Sequence, residues 1–84
     1  MSNERVLRYI SVFERAGDAH VRDIHFSSQP LLHELQSIFS VGADDPMYDE
    51  YPIDATIASR LTSVVRERFD FERFEYFLSC DVVT

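Results

Sequence analysis

The sequence predicts an α+β domain: an antiparallel sheet of three to four strands with two helices on one face, in the order β-β-α-α-β. Three observations carry this. Segments rich in β-branched and aromatic residues, VLRYISVFER and FEYFLSCDVV, lie near the two ends of the chain. Two central segments carry apolar residues at helical spacing. Turn-forming residues separate them. At 84 residues the chain reads as a single domain, 1–84, and 45% hydrophobic content is a globular value rather than a disordered one.

Val6–Arg15 is the first expected strand, Ala16, Gly17 and Asp18 supply turn chemistry, and Ala19–Phe26 returns as the second strand of a hairpin. Ser27 and Ser28 offer a helix N-cap, with Pro30 tolerated in the first turn. Leu31, Leu32, Leu35, Ile38 and Phe39 then form one apolar stripe, and Gly42 is the expected end of that helix. Tyr48–Ile53 adds a short strand that Pro52 restricts to an edge. Asp54 is a good N-cap for a second helix, whose stripe is Ile57, Ala58, Leu61, Val64 and Val65. Asp70–Arg73 make a turn into Phe74–Val83. That last strand sets Phe74, Tyr76, Leu78, Cys80 and Val82 on one side and Glu75, Phe77, Ser79 and Asp81 on the other. The second side is the open face, where an antiparallel sheet meets water or a partner.

The net charge of −7 is unevenly spread. All eight basic residues are arginines, and none lies between Arg22 and Arg60. That stretch holds seven acids: Asp23, Glu34, Asp44, Asp45, Asp49, Glu50 and Asp54. The flanking segments balance, with eight acids against eight arginines, so the excess belongs to the middle of the chain. Its densest part is GADDPMYDEYPID, residues 42–54. Such a field repels phosphate backbones, which argues against direct nucleic-acid binding, and attracts a basic partner. The bland reading is that acidity serves solubility.

Catalytic chemistry has little to stand on. His20 and His25 differ by an odd number along a strand, which points them to opposite faces, and His33 lies on a helix. No zinc-type spacing joins them, and the adjacent acids Asp44-Asp45 and Asp49-Glu50 form no calcium-loop pattern. Ser79 has no nucleophile elbow, and two glycines cannot build a phosphate loop. We expect no enzyme activity, no metal and no cofactor. Cys80, the only cysteine, reads as a small core residue and makes an intrachain disulfide impossible, which suits a cytoplasmic location. The N-terminal MSNERVLRYISVF lacks the apolar core of a secretion signal, because Arg8 and Ser11 interrupt it. No apolar run approaches the roughly 20 residues that cross a bilayer, so no membrane partner is expected.

Met47–Asp81, with its Met-Tyr-x-x-Tyr-Pro segment, helix, acidic turn and Tyr-Phe-Leu strand, resembles an uncharacterised small bacterial domain family. More distantly, the chain is similar to the immunity proteins of ribonuclease bacteriocins, the colicin and cloacin type. Those are small acidic sheet proteins with a hairpin first and a terminal strand containing Glu-Tyr-Phe and a nearby Asp, matched here by Glu75, Tyr76, Phe77 and Asp81. The resemblance implies an immunity protein or antitoxin that binds a cognate toxin, a basic nuclease domain. The partner-binding residues are then Asp44, Asp45, Tyr48, Asp49, Glu50, Tyr51, Glu75, Phe77 and Asp81. Carboxylates steer the encounter and aromatic anchors slow dissociation. Met47, Tyr48, Tyr51 and Pro52 have a structural alternative, as caps on the helix–sheet core. The alternative function is a structural or adaptor module acting as a homodimer through the open face or the edge strand.

Overall fold

The computed structural model of the chain describes residues 5–83. Its elements are β1 (Arg5–Glu14), β2 (His20–His25), α1 (Leu32–Phe39), β3 (Tyr51–Pro52), α2 (Ala55–Arg60), a 3₁₀ turn (Leu61–Ser63) and β4 (Phe74–Val83). The strands form one sheet in the order β2-β1-β4-β3, with every neighbouring pair antiparallel. This is the α+β class read from the sequence, with the short edge strand present. Pro52 sits in that edge strand, where its missing N–H leaves no ladder bond unmade.

β1 and β4 are the spine, paired along all ten residues of each. Period-two alternation sends Ile10 and Val12, opposite Leu78 and Tyr76, to the helix side. Leu35 and Phe39 from α1, Ala58 from α2, Leu61 and the connector residues Met47 and Ile53 close over them. Ile10, Leu35, Met47, Leu61 and Leu78 are fully buried, each worth about 1.5–3 kcal/mol of apolar transfer. Beyond Leu78 the cover thins. Cys80 is only partly buried and Val82 is 57% exposed, so the expected burial of that side of β4 stops short of its end.

The hairpin turns at Gly17 (φ 118°) and Asp18 (φ 60°), left-handed conformations that glycine and aspartate tolerate better than most residues. β2 then carries a bulge. Val12 pairs with Arg22 but Phe13 pairs with His20, so Val21 is an extra residue and every position before it changes face.

Both helices depart from their expected bounds. Ser27 and Ser28 lie in a bend, and the N-cap is Leu31, whose N–H donates to Glu34 Oε1 at 2.9 Å. The reason is Gln29. Pro30 disfavours helical backbone at the residue before it, and the Gln29 side chain bonds the Arg8 N–H (2.9 Å) and carbonyl (3.0 Å). It thereby continues the β1–β2 ladder past its last residue pair. At the other end, Ser40 rather than Gly42 ends α1, in the left-handed region (φ 57°, ψ 43°). α2 is capped as expected, with Asp54 Oδ1 accepting from the Ile57 N–H at 2.8 Å. It tightens to 3₁₀ at Leu61 instead of running on to Val65. Thr62, Ser63, Val64 and Val65 are poor helix formers, and the hydroxyls of Ser59 and Thr62 bond carbonyls one turn back (2.7 and 3.0 Å).

The stretch between the 3₁₀ turn and β4 is held by aromatic packing. Phe69 and Phe71 meet the Tyr76 ring edge-on at 4.8 and 5.4 Å, and the Tyr76 hydroxyl accepts the Asp70 N–H at 2.9 Å.

Candidate functional site

The nine residues expected to meet a partner fall into two groups. Asp44, Asp45, Tyr48, Asp49, Glu50 and Tyr51 belong to the connector that leads from α1 into β3. Glu75, Phe77 and Asp81 lie on β4, on the face of the sheet away from the helices.

The connector is pinned to the body along its length. Gln36 Nε2, on a buried side chain of α1, donates to the carbonyls of Ala43 (3.1 Å) and Asp45 (2.8 Å). Arg8, buried on β1, donates to the Pro46 carbonyl at 2.7 Å. Met47 adopts φ 55° with a fully buried side chain, so core packing holds a backbone conformation unfavourable for methionine. Asp45 stabilises the bend, accepting from the Met47 N–H (2.8 Å) and from the Tyr51 hydroxyl, which lies 2.9 and 2.8 Å from its two oxygens. The Tyr51 ring packs edge-on against Phe39 at 6.0 Å. That hydrogen bond, with partial burial and the nearby charges of Asp45 and Asp49, pushes the Tyr51 hydroxyl above its ordinary pKa. Asp45 and Tyr51 thus direct their polar groups at each other. Asp44, Tyr48, Asp49 and Glu50 face solvent, Tyr48 with 59% of its surface exposed.

The second group lies on a broader surface. Odd-numbered residues of β1 alternate with the β4 set: Leu7 stands opposite Asp81, Tyr9 opposite Ser79, Ser11 opposite Phe77 and Phe13 opposite Glu75. Ser11 and Ser79 are buried at its centre with their hydroxyls 2.8 Å apart. Two aromatic groups flank them. Phe13 packs edge-on against Phe77 (5.8 Å) and His20 (5.4 Å), while Tyr9 tilts over His25 (5.8 Å). The Tyr9 hydroxyl donates to Asp81 Oδ1 at 3.3 Å. Partial burial first, then the charge and hydrogen bond of Asp81 and the charges of Asp23 and Glu50, push its pKa up. Those three carboxylates therefore act on one point of the sheet face, although they come from β2, the connector and β4.

Among the described residues, no arginine is ion-paired with these groups. Among the described residues the ion pairs are Arg22 with Glu67 (2.8 Å) and His20 with Asp23 (2.7 Å). Arg22 pairs with Val12 in the ladder and so belongs to the helix side. Arg15, at the far end of β1, directs its guanidinium to the carbonyls of Phe71 (2.9 Å) and Phe74 (3.4 Å). Arg8 has no carboxylate within ion-pairing distance among the described residues, and its Nε is buried without an acceptor.

The histidines correct one expectation. His20 and His25 lie on the same face, because the bulge at Val21 adds the residue that restores their parity. His33 is on α1, exposed and apart from them. Among the described residues no three His, Cys, Asp or Glu side chains are grouped as a metal site. Cys80 sits across from Arg8; burial raises its thiol pKa, against which the Arg8 charge acts and to which Asp81 adds. No helix among the described residues is long and apolar enough to cross a membrane.

Tyr9, Phe13 and Asp23 are the surface residues that sequence reasoning missed. The signal was the alternation Tyr9-x-Ser11-x-Phe13, which reads as one face of a strand, but the pairing that sets it beside Glu75, Phe77 and Asp81 is not written in either segment alone.

Comparison with known proteins gives no match among curated proteins and none among solved structures. A family model described as a domain of unknown function, DUF7683, matches residues 7–79. The match runs from β1 into β4 and so extends well beyond the Met47–Asp81 segment whose motifs first suggested a family. The chain belongs to the DUF7683 family.

Proposed function

We propose that the protein is an immunity protein, an antitoxin that binds a cognate toxin, a basic nuclease domain, and neutralises it through an acidic surface. The observation that supports this reading is the set of carboxylates without arginine partners among the described residues, Glu75 and Asp81 on the sheet face and Asp44, Asp49 and Glu50 beside β3. A nuclease must present cations to hold phosphates, and carboxylates offered to those cations occupy the ground the substrate needs. Charge raises the encounter rate, while half-buried rings such as Phe77 supply contact area that slows release. The same field disfavours direct binding of nucleic acid. The reading places the protein in the cytoplasm, where such a toxin meets its substrate, and assigns it no catalysis and no cofactor.

The homodimer alternative is disfavoured by charge, because two copies at −7 each repel where their acidic surfaces meet. Co-expression with the nuclease toxin domain that the reading requires tests the proposal: survival of the cells supports it, and unchanged killing defeats it. With the purified pair, association should slow as salt rises, since exposed charges are screened beyond about 10 Å at 0.1 M ionic strength.

A further inference from the structure

We propose that the docking surface is the open face of the sheet across β1 and β4, and that its occupant is an extended cationic segment of another protein, with basic side chains at its two ends and apolar ones between. This rests on the reading that the protein binds a partner by charge, but not on the partner being a toxin.

The layout of the face sets the pattern. Glu75 and Asp81 lie on the same side of β4, six residues apart, a separation of about 20 Å at strand rise. Between them stand Phe13, Phe77 and Tyr9, with no arginine ion-paired to either carboxylate among the described residues. An acidic group at each end with rings between them complements a strand or loop bearing cations at matching spacing. A guanidinium gains twice there, from the carboxylate and from stacking on an aromatic face. Beside Glu75 the face continues into a groove of about 380 Å³ walled by Arg15, Pro52, Ile53, Asp54, Phe71 and Phe77, large enough to take one of the partner's apolar side chains. A second copy of this chain would bring acid against acid at both ends, so the occupant is a different protein.

The test is a ¹⁵N-amide NMR titration of the full chain with a short acetylated, amidated oligo-arginine peptide, and with oligo-glutamate as control. The expected result is perturbation centred on Tyr9, Phe13, Glu75, Phe77 and Asp81. Glu75→Gln and Asp81→Asn should each weaken arginine-peptide binding roughly two- to fivefold, while Asp44→Asn with Asp49→Asn changes it little. Amide dispersion of each variant verifies that it is folded. The proposal is overturned if the shifts centre on residues 42–50, if the Asp44/Asp49 variant weakens binding as much as the strand variants, or if the peptide does not bind. It is also overturned if dilution of the protein alone moves the same face amides, which marks self-association. Failure of toxin neutralisation with a positive face map removes the immunity reading and leaves this one standing; neutralisation with a loop-centred map does the reverse.

Discussion

The Tyr51 hydroxyl lies 2.9 and 2.8 Å from the two carboxylate oxygens of Asp45, and through this contact the acidic connector is fastened to the edge of the sheet. Asp45 also accepts the Met47 N–H, so one carboxylate stabilises both a left-handed backbone turn and the entry to β3. Tyr51→Phe removes the contact and leaves the ring against Phe39. We expect a loss of about 1.5 kcal/mol in urea unfolding, the lower end of the range for a hydrogen bond to a charged acceptor because the pair is only half-buried. Wild-type stability should also respond to alkali. The folded state raises the Tyr51 pKa, so the hydroxyl's contribution is complete below tyrosine's unfolded value of about 10 and is lost as pH climbs through the higher folded value. Ultraviolet titration of phenolate beside the unfolding curve reads both, and Tyr51→Phe should flatten the alkaline decline.

Gln29→Ala should cost about 1–2 kcal/mol, because its amide satisfies both the N–H and the carbonyl of Arg8 where the β2 ladder has ended. Hydrogen exchange at the Arg8 amide should rise well beyond the global change if the side chain is the strand surrogate described above. An exchange rate unchanged at that amide contradicts the assignment.

Arg8 itself offers a sharper contrast. Its guanidinium holds the Pro46 carbonyl but keeps a buried Nε without an acceptor. Arg8→Met keeps an apolar stem and removes the unsatisfied group, whereas Arg8→Ala also empties the space. The expected order of stability in thermal melts is wild type or Met highest and Ala lowest, with Ala down by about 2–4 kcal/mol.

Asp54→Ala removes the N-cap of a helix only six residues long, and about 1 kcal/mol of stability should go with it. Asp54→Ser should recover most of the loss, since a hydroxyl oxygen reaches the same N–H. Chemical denaturation of the three proteins checks the order.

Cys80 should react slowly with thiol reagents at neutral pH, more slowly than free cysteine, because burial holds its thiol protonated. Full reactivity should appear only on unfolding or well into alkali. Rapid labelling of the native protein at neutral pH contradicts the packing described for the end of β4.

The fold class was legible because its evidence is periodic. Ile10 and Val12 alternate with Tyr9, Ser11 and Phe13, and Leu35 with Phe39 and Ala58 with Leu61 repeat at helical spacing. Asp54 was legible as a cap because its side chain acts on a backbone group three residues away. What could not be read was whatever depends on distant parts of the chain. Ser27 and Ser28 are as good a cap locally as any pair here, yet Gln29 is drawn to Arg8, 21 residues earlier in the chain, and delays the helix to Leu32. The candidate surface divides the same way. Glu75, Phe77 and Asp81 were found from the alternation of one strand, while Tyr9, Phe13 and Asp23 join them only through pairings between strands. Within GADDPMYDEYPID, composition alone could not separate the inward Asp45, Met47 and Tyr51 from the outward Asp44, Tyr48 and Asp49. That division is made by Arg8 and Gln36 holding the backbone from outside the segment.

The extra residue at Val21 gives β2 a role as a spacer. Because Val21 takes no place of its own in the ladder, the imidazoles of His20 and His25 both look out over the rings of Phe13 and Tyr9; in a regular ladder that paired Val21 with Phe13, His20 would fall opposite Glu14 and turn toward the helices. What the outer wall of this protein displays is therefore decided in part by one local irregularity in a strand, and ironing that irregularity out would repaint the wall without changing a single side chain.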